Sequence, residues 1–274
     1  NEAETFLKQG KKVMFVGSPC QIAGLRTFLR YKEYDSLLAV DFVCHGVPSP
    51  GVWRRYIAET FSGEKLNVRC RRQAAAGKNT VLLSSLNEKS PIGGIKFRDK
   101  TEAGWKKFRF VVREKSASKA DQNSVLLSDI HYMNVYMKGF LNNIYLRPSC
   151  YACKCKNGVN HSDLTIADFW GINTINPSFD DDKGCSLVLV NSERGNVIFE
   201  SLKLETWDSD LETARQFNPG FGEMIPDNPL RIRFYRMLDR GKTVEKSIQE
   251  CYTLSFMGRC RSKLKGILKL IAGR

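Results

Sequence analysis

No stretch of this 274-residue chain is apolar over anything close to the roughly 20 consecutive residues that a membrane-spanning helix needs. The first residues also lack the basic and apolar regions of a secretory signal peptide. Internal repeats and low-complexity segments are absent, which excludes a repeat architecture. Because the chain does not begin with Met, we expect it to be part of a longer or processed protein.

Histidine is scarce, with 3 residues, whereas cysteine is plentiful, with 9. An odd number of unevenly spaced cysteines does not match the disulfide framework of a small secreted protein. We therefore predict a reducing compartment, the cytoplasm. Hydrophobic residues at 42% and charged residues at 26% are typical of a folded chain that buries one large core or two smaller ones.

The net charge of +14 favours an anionic partner without selecting nucleic acid, anionic lipid or an acidic protein. Nucleic acid is disfavoured, because the charge is dispersed instead of forming one basic face. Residues 259–274 are basic, contain no acid and carry an apolar stripe with helical spacing. The residues of this stripe are Leu264, Ile267, Leu268 and Ile271. Such a helix either packs its stripe against protein, which we favour, or lies peripherally on an anionic membrane.

The first 61 residues alternate between strand and helix patterns. Buried strands are predicted at 11–16 and 37–43, and helices follow them at 20–30 and 53–61. This order is typical of parallel strands joined by crossover helices. The sequence therefore predicts an α/β fold with a parallel-strand core.

The remainder of the chain adds two further features. Residues 65–128 contain short strand patterns at 67–71, 80–86, 95–98 and 108–112, separated by polar loops, which predicts an antiparallel insertion. Residues 129–141 have a helical pattern, and the chain is predicted to be helical from residue 226 onward. We accordingly predict a domain over residues 1–225 and a helical basic tail over 226–274.

Two loops at strand ends carry residues that suit a cofactor. Parallel strands in open α/β sheets bind ligands at their carboxyl ends, where Cys20 and Cys44 are predicted to share one rim. The turn before Cys20 opens a helix, whose N–H groups suit an anion or a flavin phosphate. A tight turn without a ligand is an equally common explanation. The candidate cofactor-binding residues are Gly17, Ser18, Pro19, His45 and Asp168.

His45 and Asp168 are the less specific members of that set. His45 is a candidate ligand, proton carrier or hydrogen-bond partner, although a lone histidine is more often structural. Asp168 ends a predicted strand, where it either binds a ribityl or ribose hydroxyl or caps the next segment. Capping is the default interpretation of such an aspartate.

The segment Cys150-Tyr-Ala-Cys153-Lys-Cys155 places three thiols within six residues. Clustered soft ligands favour an iron–sulfur cluster, which Cys20 or Cys44 would complete. Zinc is the competing metal, with a local ligand set of Cys150, Cys153, Cys155 and His161. Free thiols are the third explanation, and we consider it the weakest because exposed clustered thiols oxidise readily.

Five segments together resemble the C-terminal domain of the coenzyme F420 hydrogenase/dehydrogenase beta-subunit family. They occur in the order of the family, at residues 16–25, 40–53, 97–100, 146–153 and 163–172. The resemblance implies an iron–sulfur flavoprotein that passes electrons between a ferredoxin-like partner and a substrate or deazaflavin. The 4Fe-4S ligands that it implies are Cys20, Cys44, Cys150 and Cys153, with FAD close by. Cys155 occupies a position where an aromatic residue is expected, so it is either a bystander or an alternative ligand.

The leading hypothesis is thus an oxidoreductase domain that relays electrons between a ferredoxin-like donor, a 4Fe-4S cluster, FAD and a small organic acceptor. The resemblance also implies preceding segments that share the FAD site and supply the ferredoxin-like module. The sequence identifies no catalytic residue. Two alternatives remain: a zinc-stabilised module that binds an anionic partner, and a polysaccharide-pathway enzyme on the same fold without a redox centre.

Overall fold

Two β-sheets, one mixed and one antiparallel, organise the part of the chain that the structure describes. The computed structural model describes residues 2–61, 92–102, 104–115, 125–156, 161–218, 220–221, 225 and 228–253. The chain divides into two units that are interleaved along the sequence. Unit 1 comprises Asn1–Val47, Lys100–Phe108 and Arg147–Pro226, and unit 2 comprises Pro48–Asp99, Arg109–Leu146 and Asp227–Arg274. The predicted division at residue 226 stays a prediction.

The secondary structure of the described residues begins with α1 (Glu2–Lys8), β1 (Val13–Val16), α2 (Pro19–Phe28), β2 (Leu37–Phe42) and α3 (Pro50–Phe61). It continues with β3 (Ile92–Asp99), β4 (Arg109–Glu114), β5 (Val125–Ile130), α4 (Val135–Leu141), α5 (Pro148–Tyr151) and β6 (Leu164–Asp168). The last elements are α6 (Ile172–Ile175), a 3₁₀ turn (Pro177–Phe179), β7 (Ser186–Val190), α7 (Glu193–Ser201), α8 (Leu211–Phe217), α9 (Leu230–Asp239) and α10 (Val244–Tyr252).

Unit 1 is built on a four-stranded sheet in the order β1-β2-β6-β7. The first three strands are parallel, and β7 is antiparallel to β6. Val16 lies opposite Val40, and Phe42 lies opposite Ile166. The predicted α/β fold is therefore confirmed, with one antiparallel strand at an edge of the sheet.

Two apolar clusters pack against the strands of unit 1. Helices α1 and α2 bury Leu7, Leu25 and Leu29 against Leu37 of β2. A second cluster joins β7 to α6 and α8; its buried members are Trp105, Phe169, Ile172, Leu187 and Ala214. Of the residues whose spacing predicts one apolar face of α2, Ile22 and Leu25 are buried, whereas Phe28, the last residue of the helix, is 49% exposed.

Unit 2 contains the antiparallel sheet β3-β4-β5 and an aromatic core. Trp53 of α3 lies 5.1 Å from Phe97 and 5.0 Å from Tyr136, measured between ring centroids. Tyr56 stacks on Tyr136 at 4.9 Å. The predicted antiparallel insertion is confirmed for strands β3 and β4, whereas the strands predicted at 67–71 and 80–86 lie outside the described residues.

The helix predicted over residues 129–141 is wrong in its first part. Residues 125–130 form β5, in which Asp129 pairs with Phe110 of β4. The helix α4 begins only after Asn134, whose side chain accepts a hydrogen bond from the Met137 N–H at 3.0 Å. Pairing with a distant strand therefore outweighed the local helical pattern, and the asparagine cap set the start of the helix.

The C-terminal part of the chain is helical as far as the structure describes it, through α9 and α10. The Val244 N–H donates to Glu59 at 2.6 Å, and Arg55 donates to the Lys242 carbonyl at 2.7 Å, so α3 holds this helical pair. The basic stripe at 264–271 lies outside the described residues. Among the helices that the structure describes, none has the length and apolar character to cross a membrane.

A close backbone contact in unit 1 supports a stability prediction. A Cβ atom added at Gly195 would lie 2.3 Å from the carbonyl oxygen of Asp163. We expect Gly195→Ala to destabilise the fold by about 1–3 kcal/mol, because backbone must move to relieve the overlap. Urea denaturation followed by circular dichroism measures the change.

The matched control is Gly24→Ala, within α2. A Cβ atom at Gly24 meets nothing within 4 Å, and this glycine is exposed. Alanine here should stabilise by about 0.5–1 kcal/mol, since it lowers the entropy lost on helix formation. Equal effects of the two substitutions would contradict the close packing at Gly195.

Candidate functional site

The carboxyl ends of β1, β2 and β6 lie at one edge of the unit 1 sheet, because these three strands are parallel. The loop after β1 turns directly into α2, whose first residue is Pro19. The Gly17 N–H donates to the Val40 carbonyl at 3.0 Å, so the turn stays attached to β2. The Ser18 N–H donates to the Gln21 side chain at 2.8 Å, which satisfies a group at the helix start.

Cys20 occupies the first turn of α2 and is exposed. Its sulfur lies 3.2 Å from the Ser18 hydroxyl oxygen, within hydrogen-bond distance for sulfur. Because the first turn of a helix has free N–H groups and a partial positive charge, this position suits an anionic sulfur. The turn residues Gly17, Ser18 and Pro19 are buried beside it.

Cys44 lies in the loop that follows β2 and is half-buried. Burial raises the pKa of its thiol, and the nearby thiols of Cys150 and Cys20 raise it further. Two features oppose that shift: a hydrogen bond from the Gly46 backbone and the charge of Lys156. The thiol of Cys44 thus interacts with residues from three separate segments of unit 1.

Cys150 is brought to this loop by backbone contacts. The Arg147 N–H donates to the Val47 carbonyl at 2.8 Å, and the Val47 N–H donates to the sulfur of Cys150 at 3.3 Å. The short helix α5 carries the cysteine, with Pro148 as its first residue. A backbone N–H directed at a cysteine sulfur stabilises a thiolate and is a feature of iron–sulfur sites.

Cys153 and Cys155 complete the group of candidate thiols, and both are half-buried. Burial raises the pKa of Cys155, with smaller contributions from the thiols of Cys153 and Cys20. Cys20 therefore interacts both with Cys44 and with Cys155. The five thiols, which we call the thiol group, are Cys20, Cys44, Cys150, Cys153 and Cys155.

This donor set suits an iron–sulfur cluster in its chemistry. The ligands are soft sulfur atoms on three loops, and Val47, Gly46 and Ser18 supply hydrogen-bonding groups to them. Within the described ranges, no three cysteine, histidine or carboxylate side chains converge on one point where a metal ion would sit. The ligand assignment made from the sequence stays a prediction.

His161, the fourth ligand of the zinc alternative, has partners of its own. Its backbone carbonyl accepts two hydrogen bonds from the buried Arg26 guanidinium, at 2.8 and 3.0 Å. Its ring lies edge-on to Tyr31, with 6.1 Å between centroids. Its φ of 56° places it in the left-handed region, in the segment that enters β6.

His45 and Asp168 occupy the predicted edge of the sheet. His45 is half-buried in the loop after β2. Asp168 is the last residue of β6, is half-buried, and lies opposite Ser186 of β7. Their roles toward a cofactor stay predictions.

A cleft of about 990 Å³ opens within unit 1 beside part of the thiol group. Its lining includes Cys44, Cys155 and Lys156 together with the aromatic residues Phe169 and Trp207. The two aromatic rings are nearly parallel, at 19°, with 6.3 Å between centroids. Of the candidate cofactor-binding residues, Pro19 lines the cleft.

Several residues in and near this cleft were not predicted from the sequence. Lys156 follows Cys155 directly, yet nothing in its local pattern indicates that it is buried. Trp207 lies in the extended segment between α7 and α8. Asp41 and Thr165 form a buried pair across β2 and β6, in which the threonine hydroxyl donates to the aspartate at 2.5 Å. A polar residue inside each of two apolar strands was the available signal for that pair.

Asp163 anchors the segment between the thiol group and β6. Its carboxylate accepts hydrogen bonds from the Ala39 N–H at 2.8 Å and the Ser192 hydroxyl at 2.6 Å. Arg26 and Arg194 lie 3.8 and 3.9 Å from it. A single buried carboxylate therefore holds β2, β6 and α7 in one arrangement.

Comparison with known proteins identifies a family that matches most of the chain. A family model for the C terminus of the coenzyme F420 hydrogenase/dehydrogenase beta subunit matches residues 10–208. The matched range contains the whole thiol group, the four strands of the unit 1 sheet and Lys156. No curated protein matches the chain.

The position of Asp163 gives the prediction for this site. We expect Asp163→Ala to lower the free energy of unfolding by about 3–5 kcal/mol, because it leaves the Ala39 N–H without its acceptor and removes the buried carboxylate beside Arg26, whose other carboxylate partner, Glu33, is exposed. Asp35→Ala is the matched control, since Asp35 contacts the same Arg194 at 3.9 Å but is fully exposed. Urea denaturation of both variants measures the difference, and an equally small effect of both would contradict the anchoring role.

Proposed function

Because the chain belongs to the coenzyme F420 hydrogenase/dehydrogenase beta-subunit family, and is thus an oxidoreductase domain, we propose that it relays electrons through a 4Fe-4S cluster and FAD. The donor in this proposal is a ferredoxin-like domain or protein, and the final acceptor is a small organic molecule. The observation that carries the proposal is the thiol group, which gathers cysteines from three segments at one edge of a parallel sheet.

The proposed cluster ligands are Cys20, Cys44, Cys150 and Cys153. Cys44 interacts with the thiols of Cys150 and Cys20, which supports these three ligands. Cys153 is included because the family resemblance implies it. Cys155 is the alternative ligand because its thiol interacts with those of Cys153 and Cys20. Half-burial of Cys44, Cys150 and Cys153 limits access of water and oxygen, which a sulfur-ligated cluster requires.

When bound, the cluster supplies one-electron transfer, and the flavin exchanges one-electron for two-electron chemistry. The residues of this chain hold and shield those groups. The N–H groups of Val47 and Gly46 stabilise negative charge on sulfur. The buried turn at Gly17, Ser18 and Pro19 presents the start of α2 to an anionic group of the flavin.

The cleft is the proposed place for the organic redox partner, either the flavin ring or the acceptor. Its volume of about 990 Å³ lies at the upper end of the roughly 300–1,000 Å³ typical of small-molecule sites. Cys44 and Cys155 line it, so a bound ring would lie beside the thiol group. Trp207, which is 40% exposed, offers a flat face for stacking.

Partners and compartment follow from charge and composition. A net charge of +14 favours an acidic protein as the ferredoxin-like donor, and association would then weaken as the salt concentration is raised.

Peripheral membrane contact through the stripe at 264–271 is a secondary proposal. The compartment remains the cytoplasm in this proposal, since nine cysteines suit a reducing environment.

Metal and sulfide analysis of protein purified without oxygen tests the cluster. We expect about four irons and four sulfides for each chain, with broad visible absorption that bleaches on reduction. Cys44→Ser and Cys150→Ser should each lose most of the iron. Cys185→Ser is the matched control, because Cys185 is another half-buried thiol in unit 1 whose neighbouring charges are those of Asp180 and Asp181, and it should retain the iron.

Two outcomes would overturn the proposed cluster. One zinc ion and no sulfide would favour a structural metal site and a binding function. Iron content unchanged in both Cys44→Ser and Cys150→Ser would show that the ligands lie elsewhere. Activity with a sugar nucleotide in an iron-free preparation would instead support the polysaccharide-pathway alternative.

Flavin binding to the iron-loaded protein tests the cleft. We expect Trp207→Ala to weaken FAD binding roughly threefold to tenfold, because an aromatic stacking contact contributes about 0.5–1.5 kcal/mol. Quenching of flavin fluorescence measures the affinity. Tyr31→Ala removes an exposed ring outside the cleft and should leave the affinity unchanged; an equal loss in both variants would contradict this placement.

A further inference from the structure

Lys156 carries its charge into the interior of unit 1 beside the thiol group. The residue is only 9% exposed, and its Nζ atom is buried. Among the described residues, Nζ has no hydrogen-bond partner and forms no ion pair. Burying an unpaired ammonium is strongly unfavourable, because its hydrating water is lost and nothing replaces it. A lysine kept in such a place needs an anionic neighbour to offset that cost.

The thiol group is the anionic neighbour that its position indicates. The charge of Lys156 acts on the thiol of Cys44, where it opposes the effect of burial. Lys156 also lines the cleft together with Cys44 and Cys155. Thiols lose their protons when they bind a metal, so these cysteines become negatively charged once a cluster is held there.

Lys154 shows what distinguishes Lys156 from its neighbours in the sequence. It lies two residues earlier, between Cys153 and Cys155, but is exposed. Solvent and salt screen an exposed charge, whereas a buried charge acts through a medium of lower dielectric constant. Equal charges at these two positions therefore have unequal effects on the thiol group.

We propose that Lys156 sets the reduction potential of the cluster held by the thiol group, by stabilising its reduced state. This role rests on the proposed cluster. When the ferredoxin-like donor gives up one electron, Lys156 faces one additional negative charge on the thiolate-bound cluster, and no proton moves and no bond breaks. Net charge near a cluster is a determinant of its potential. Lys156 is a positioning residue in this role, since it acts through the sulfur ligands and does not react.

A redox titration followed by electron paramagnetic resonance, on protein purified without oxygen, tests the proposal. The variants are Lys156→Gln, which removes the charge, Lys156→Arg, which retains it, and Lys154→Gln as the matched control. We expect Lys156→Gln to shift the ratio of oxidised to reduced cluster at least tenfold toward the oxidised form at a fixed potential. For a one-electron couple, this tenfold change corresponds to a fall of about 59 mV in the reduction potential of the cluster. Lys156→Arg and Lys154→Gln should each change the ratio of oxidised to reduced cluster at that potential by less than about threefold.

The outcomes separate this role from the proposed cluster itself. Wild-type protein without iron would overturn the cluster and the role of Lys156 together. Iron-loaded protein in which Lys156→Gln shifts the ratio less than tenfold, or in which Lys154→Gln shifts it equally, would overturn the role alone. If Lys156→Gln loses iron, retention of iron by Lys156→Arg would support the requirement for charge. Loss of iron in both Lys156 variants would overturn the requirement for charge and would indicate that packing of the lysine side chain is what the site needs.

Discussion

Parallel pairing of β1 with β2, and of β2 with β6, is the constraint on which the candidate site depends. Parallel strands must be joined by crossovers, so the loop after each strand emerges at the same edge of the sheet. Helix α2 is one such crossover, and it buries Leu25 on the face that it covers. The thiols of Cys20 and Cys44 become neighbours through this topology, although 23 residues separate them in the sequence.

Buried polar groups hold the strands in the register that this edge requires. Asp41 lies directly opposite Thr165 and accepts a hydrogen bond from the threonine hydroxyl. The Asp163 carboxylate accepts hydrogen bonds from the Ala39 N–H and the Ser192 hydroxyl. A slip of one residue would turn each of these side chains to the other face and leave buried groups without partners. Satisfied polar contacts inside an otherwise apolar sheet therefore specify one arrangement, while apolar burial supplies most of the stability.

The electrostatic environment of the thiol group combines opposing influences. Burial disfavours negative charge on sulfur and raises the pKa of Cys44 and Cys155. Backbone N–H groups from Gly46 and Val47 favour that charge, and so does the ammonium of Lys156. Cys20 is exposed, whereas the other members of the thiol group are half-buried. The family to which the chain belongs contains oxidoreductase subunits. Under the proposed function, charge close to these sulfur atoms would contribute to the reduction potential of a bound cluster.

The sequence by itself determined the α/β class, the shared edge of the strand-end loops and the family. Each depends on a local pattern: apolar periodicity, a Gly-Ser-Pro turn, or a run of closely spaced cysteines. The interpretation of residues 129–141 as one helix was wrong because the pairing of β5 with β4 is a contact between distant segments. Only the tertiary structure decided that Val47 meets Cys150, that Trp207 lines a cleft with Phe169, and that Lys156 is buried. Contacts of this kind join residues that lie far apart in the chain, and no periodic pattern in the sequence around either residue predicts them.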